Sequence, residues 1–422
     1  MTDPPPPGLA ELDARLVAAA KDVKVLKQLA WPVALKERFL SGWRAGRPVL
    51  PEVPPVTQDL DAHVAELSAL ARPSAEHPMA EFIARTADSY LESVRMLQVA
   101  GTPAFSELSQ RIYGRPSDPV VPGGLTSLEA AEHFCEATEE LAAACADRES
   151  DYCLSAEEVA VRMRAAFEPF FGEHKVEIAI DPDLAAKAAA GAERVRLRAG
   201  AVYSENDVEQ LVHHEGFVHA ATLINGRSQP HLRALGLGAP RTTATQEGLA
   251  TFSELITTSI DLARLRRIAL RIVAVDMALK GADFVQVFEF FHGAGQTEGE
   301  SFSSTQRVFR GGDPRGGVAF TKDTVYLRGL LETHHWLQAA LTARKVDYPR
   351  FLFSGRLTWG DVEALEPWLE SGWIAPPRFA PKWVTREHNL AAYLAFYDLT
   401  HGPLAGVELS NFTTQRYQRR TR

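Results

Sequence analysis

The sequence predicts a mostly helical α+β protein, with a helical N-terminal addition ahead of a section that mixes short strands with helices. Two observations carry this. Apolar residues recur at helical spacing through most of the chain. Between about residues 155 and 224, alternating, β-like stretches interrupt that pattern twice.

Residues 1–7 are polar and proline-rich and read as a disordered lead. From Gly8 to Ala30, Leu9, Leu12, Leu16, Ala19, Val23 and Leu26 share one helical face. Proline punctuation at 48–56 is followed by helices at about 57–71, 78–100, 102–113 and 127–147. A boundary near residue 150 separates this region, 8–150, from residues 151–422, which carry the chemistry.

The second section opens with a helix from Ser155 to Phe171, where Ser155 and Glu158 have capping-box spacing. A strand at 175–180, a short helix at about 183–191 and a second strand at 194–198 follow. The next helix contains Leu211 to Ile224, so the small sheet is expected to pack on it. Helices at about 246–280, 283–292 and 323–345 complete the reading, with shorter pieces to 400.

Composition narrows the function. The chain has 422 residues, 45% hydrophobic and 23% charged, an ordinary globular profile. Its 45 basic and 54 acidic residues leave a net charge of −9, which argues against a nucleic-acid binder. No run approaches the roughly 20 apolar residues of a membrane span. The N-terminus lacks the basic and apolar regions of a secretory signal. The three cysteines fit neither a disulfide framework nor a zinc knuckle, and a cytoplasmic setting is expected.

The informative segment is His213-His214-Glu215-Gly216-Phe217-Val218-His219. Two imidazoles flanking a glutamate on one helix is the logic of zinc peptidases: the rings bind Zn2+ and the glutamate takes a proton from a polarised water. The usual spacing between the rings is i, i+4, whereas His214 and His219 stand at i, i+5. At about 100° per residue they would point about 140° apart on an ideal helix. Either a π-bulge widens the helix or the helix ends near His219. His213 offers no substitute, because its i+4 neighbour is Phe217.

A catalytic zinc needs a third ligand and an open position. Glu247, in Thr243-Ala244-Thr245-Gln246-Glu247-Gly248-Leu249-Ala250, is the candidate, with Thr243 and Gln246 as a possible capping box and Glu247 in the first turn. Small residues at 250 and 251 would admit a neighbouring helix. Glu254 is either a hydrogen-bond partner of a ligand histidine or an ordinary helix carboxylate.

The segments HHEGFVH and TTATQEGLATFSE together resemble the QEGLA-motif family, which includes the microtubule-associated tyrosine carboxypeptidases. The resemblance covers about residues 155–400. It implies that His214, His219 and Glu247 hold zinc and that Glu215 is catalytic.

A glycine-rich cationic segment, 306–322, reads as a mobile or closely approached loop. Arg307, Arg310 and Lys322 are candidates for holding a substrate's terminal carboxylate. Tyr326, four residues after Lys322, is a candidate donor to the oxyanion. Arg315 reads as surface, and Glu332 with His334 and His335 as helix residues without a metal role. The expected function is a zinc carboxypeptidase acting on a peptide or protein C-terminus. Two alternatives stand beside it: a metal-stabilised regulatory or binding protein without hydrolysis, and a metal hydrolase of another amide.

Overall fold

A computed structural model describes residues 6–401, apart from 57–58, 74–75, 145–151, 183 and 185. The boundary expected near residue 150 and the first five residues of the expected lead lie outside the described residues. The fold is mostly helical α+β, as predicted. No helix among the described residues is long and apolar enough to cross a membrane.

Two small sheets lead into the histidine segment. In the larger, β2 (Glu177–Asp181) pairs in parallel with β4 (Arg194–Arg198), and β4 pairs antiparallel with β3 (Ala188–Ala190). The smaller joins β1 (Tyr152–Leu154) to β5 (Tyr203–Ser204). Period-two burial puts Val195 and Leu197 inward, with Ile178 beside them. There they meet Phe167, Leu211, Val212 and Leu223 in one apolar cluster, so the sheet rests on the helix that carries the histidines. Ser204 ends β5 and accepts from the Asp207 N–H, while the Asp207 carboxylate accepts from the Ser204 N–H. This capping box starts the helix Glu205–Leu211, which runs directly into the histidine turn.

Within the alanine-rich stretch predicted as a helix at about 183–191, Ala188–Ala190 instead form β3. Its backbone pairs with the open edge of β4, and this tertiary pairing overrides alanine's high intrinsic helix preference. The helix expected over 246–280 is two helices, Thr243–Ile256 and Leu262–Leu279. The break comes at Thr258, whose φ is 57°, and Asp261 caps the new helix through the Arg264 N–H. Arg307 lies in the last turn of a helix, Glu298–Phe309, rather than in a loop. The helix predicted from Gly8 stops at Ala20, with a short turn at Val25–Gln28.

The N-terminal helices share a core with the rest of the chain. Leu16, Phe82, Leu97 and Phe105 join Leu249, Phe252 and Leu327 in a single apolar cluster. The Asp13 carboxylate, in the first helix, accepts from the N–H groups of Arg233 and Ala234 at 3.0 and 2.7 Å.

Candidate metal centre

The turn Val212–Ala220 is a π-helix. A wider turn brings residue i+5 back over residue i, which resolves the spacing problem posed by the sequence. The rings of His214 and His219 have centroids 4.7 Å apart, and their Nε2 atoms are 3.2 Å apart. Gly216 makes room for the π-turn's neighbour, since a Cβ there would lie 2.2 Å from the Phe167 ring.

Glu247 arrives from the helix Thr243–Ile256, with Oε2 3.5 Å from each of the two Nε2 atoms. The expected capping box with Gln246 does not form. Thr242 bonds back to the Ala239 carbonyl, and the Gln246 Oε1 instead accepts from the Thr222 hydroxyl at 2.8 Å. That bond ties the two ligand-bearing segments together. Glu247 therefore sits one residue further into its helix than expected. A close approach of a neighbouring helix occurs at Gly248: a Cβ there would lie 2.2 Å from the Gly329 carbonyl oxygen. The helix Val325–Thr342 thereby packs directly on the Glu247 helix.

His214, His219 and Glu247 each offer one ligand atom, all within 4.8 Å of one another, in a buried setting. Tetrahedral zinc with bonds of about 2.0–2.1 Å separates its ligand atoms by about 3.3 Å. The observed separations of 3.2, 3.5 and 3.5 Å fit such an ion.

A second layer of residues orients these groups. Burial raises Glu254, but Arg264 and His214 reverse this and hold its pKa at about 2, so it is an ionised acceptor. Its Oε1 lies 2.6 Å from His214 Nδ1, which therefore carries a proton and leaves Nε2 as the nitrogen that would donate its electron pair to a metal once its own proton is displaced. Arg264 grips Glu254 with Nε and Nη2 at 3.2 and 3.1 Å, and Gln210 adds a bond of 3.3 Å. The break after Ile256 is what returns Arg264 onto Glu254. Burial lowers the His214 pKa, but Glu247 and Glu254 more than offset this and push it up to about 10. His219 has no such carboxylate on Nδ1, which is buried without a hydrogen-bond partner, and burial drives its pKa down.

Glu215 is buried and makes no hydrogen bond or ion pair with any described residue. Lys322 donates to Glu247 Oε1 at 3.1 Å, and despite burial Glu247 is held well below the usual carboxylate range by Lys322 and the two histidines. Arg307 clamps Asp323 with Nε and Nη2 at 2.6 and 2.7 Å and donates to the Tyr326 hydroxyl at 3.2 Å. Arg264, Arg271, Arg307 and Lys322 surround the Tyr326 ring at 5.2–5.9 Å from its centroid. Arg310 is buried beside Phe320, 5.4 Å from that ring's centroid. Arg315 bonds Asp313 at the surface, and His335 is exposed on its helix, as expected for both.

Residues 37–401 match the family model of the microtubule-associated tyrosine carboxypeptidase, MATCAP. The chain belongs to the MATCAP family. The match covers most of the N-terminal helices as well as the section with the histidines. Membership in MATCAP implies peptidase chemistry of the carboxypeptidase type, and the buried histidine–histidine–glutamate group can hold a metal ion. No curated protein matched the chain.

Sequence reasoning did not single out Arg264, Arg271, Asp323 or Arg356. A groove of 1680 Å³, lined in part by Leu9, Arg227, His231, Arg233 and Trp373, reaches Arg356. Arg356 in turn donates to the His219 carbonyl at 3.4 Å. The only sequence signal for Arg264 was its distance of ten residues from Glu254, which requires a chain reversal between them to be useful.

Proposed function

We propose that the protein is a zinc-dependent carboxypeptidase that removes residues from the C-terminus of a peptide or protein. The observation that carries this reading is the convergence of His214, His219 and Glu247, with the unpaired carboxylate of Glu215 beside the first ligand. Zinc held there supplies a Lewis acid that polarises a carbonyl and lowers the pKa of water. Glu215 takes the proton from the attacking water and passes it to the leaving amine. Tyr326, which accepts from Arg307, donates its own proton toward the developing oxyanion. Glu254 holds His214 in the ligand tautomer, and Lys322 orients Glu247.

The cations Arg307, Arg310 and Lys322 around Tyr326 support an exopeptidase over an endopeptidase, because a terminal carboxylate is the anion such an enzyme must hold. Family membership supports a protein C-terminus as substrate, and tyrosine is the first terminal residue to test. The acidic balance and sparse cysteines support a cytoplasmic enzyme that binds no nucleic acid.

The test measures the amino acid released from peptides with defined C-termini by zinc-loaded protein, wild type against Glu215→Gln. The variant keeps its metal and loses about 10²–10⁴-fold in turnover. Absence of release by metal-loaded wild type, with both proteins equally active in a binding role, would instead support a metal-stabilised binding protein.

A further inference from the structure

Five cations, Arg264, Arg271, Arg307, Arg310 and Lys322, gather around Tyr326 and Phe320, against the three carboxylates Glu247, Glu254 and Asp323. Arg264 is matched by Glu254, Lys322 by Glu247 and Arg307 by Asp323. Arg271 shares Asp323 at 3.7 Å. Arg310 has no carboxylate partner among the described residues. It is 8% exposed, and its Nε and Nη2 are buried without a hydrogen-bond partner.

These two nitrogens form one edge of the guanidinium. Arg307 uses the same edge to grip the Asp323 carboxylate bidentately. On Arg310 that edge is built and buried, and a buried cation without an anion is costly. Burial and the neighbouring Arg307 depress the Arg310 pKa to about 10, a cost that an arriving anion would relieve.

A second group stands beside it. Tyr113 ends the N-terminal helix Pro103–Tyr113 and packs edge-on against Phe320, with ring centroids 5.3 Å apart. Tyr113 and Arg310 thus pack on the same ring, that of Phe320. The Tyr113 carbonyl accepts from Thr324 at 3.0 Å, which pins the ring next to the segment bearing Lys322. Its hydroxyl makes no hydrogen bond with any described residue. Burial raises the Tyr113 pKa to about 12, against the pull of Lys322 and Arg310, so the hydroxyl keeps its proton and can donate it.

We propose that Arg310, together with the hydroxyl of Tyr113 on the same Phe320 ring, is the receptor for the substrate's terminal carboxylate, and that Arg307 and Lys322 are committed to other partners. This rests on the carboxypeptidase reading and deepens it. Arg310 offers a two-toothed donor edge, and Tyr113 offers a third donor from the N-terminal helical region. That region thereby contributes to substrate choice as well as to the core.

Binding without turnover tests the pocket separately from catalysis. Full-length, zinc-loaded Glu215→Gln protein is titrated calorimetrically with N-acetyl-Ala-Tyr and with its C-terminal amide. Inorganic phosphate serves as a competitor that carries charge but no peptide. The free acid binds at least about tenfold more tightly than the amide, the scale of a hydrogen bond to a charged group. Adding Arg310→Met brings that ratio close to one, and adding Tyr113→Phe reduces it about threefold or more. Zinc content and melting temperature check folding. If Arg310→Met does not fold, the Tyr113→Phe ratio decides. An unchanged ratio in either folded variant overturns the assignment, as does equal binding of acid and amide by the parent. Phosphate binding that depends on Arg310 without any acid preference overturns it in favour of a free-anion site. An acid preference that follows Arg310 in a protein without peptidase turnover supports the pocket and defeats the carboxypeptidase reading alone.

Discussion

The metal centre and the cationic wall beside it differ in how their charges are matched. At the centre, each group has an assigned partner: Glu254 between Arg264 and His214, Glu247 between Lys322 and the two rings. The Glu215 carboxylate is unpaired there among the described residues. At the wall, Asp323 is shared by two arginines and Arg310 has no anion. Paired groups preserve a geometry, because a buried charge held by its counter-charge loses energy when either moves. Unpaired buried groups keep a capacity to interact, which suits Glu215 to the base role and Arg310 to the receptor role proposed for them.

Replacing a member of the centre tests whether the pairing serves the metal. Glu247→Ala removes a ligand and strands Lys322. Its metal affinity, measured by competition with a chromophoric chelator, falls by more than the roughly 10–100-fold expected for an outer partner. Affinity equal to wild type would remove Glu247 from the ligand set.

The wall responds through stability. Asp323→Asn leaves Arg307 and Arg271 uncompensated and costs about 3–5 kcal/mol in denaturant unfolding at neutral pH. The sign with pH follows from Asp323 being held below the usual carboxylate range by Arg307 and Arg271, which outweigh burial. Its contribution is complete above the unfolded value near 3.8 and is lost as pH falls toward the lower folded value. The gap between wild type and variant therefore narrows in acid below about pH 4. A gap that is constant with pH would contradict the ionised pair.

Glu254→Gln retains an acceptor for His214 but gives up the charge that Arg264 and the ring both use. Metal affinity drops about 10–100-fold, and a double variant with Arg264→Met adds little further. Full additivity of the two would mean that Arg264 does not act through Glu254. The smallest effect is on packing between the two regions. Gly248→Ala places a Cβ against the Gly329 carbonyl and costs about 1–3 kcal/mol. A melting temperature equal to wild type would show that the helices can separate freely.

How much of this could be read beforehand depended on distance along the chain. The residues of the candidate metal site were legible because a metal ion needs a particular set of donors, and two of them stand five residues apart on one turn. The π-turn was legible as one of two ways to make those rings converge. The β3 strand was not, because an alanine-rich stretch fits a helix until the edge of β4 is available to it. Arg307 was misread as loop because the glycines after it masked the end of a helix.

The order of the chain determined the mostly helical fold, the histidine pair and the glutamate between them, since local periodicity and donor chemistry are written over a few residues. Only the folded chain decided which cations remain unpaired. Lys322 meets Glu247 across 75 positions, Arg264 returns to Glu254 after a break in the helix, and Tyr113 comes to Phe320 from the N-terminal helices. The physical reason is that the value of a buried charge depends on its neighbours in space, and those neighbours are chosen by packing.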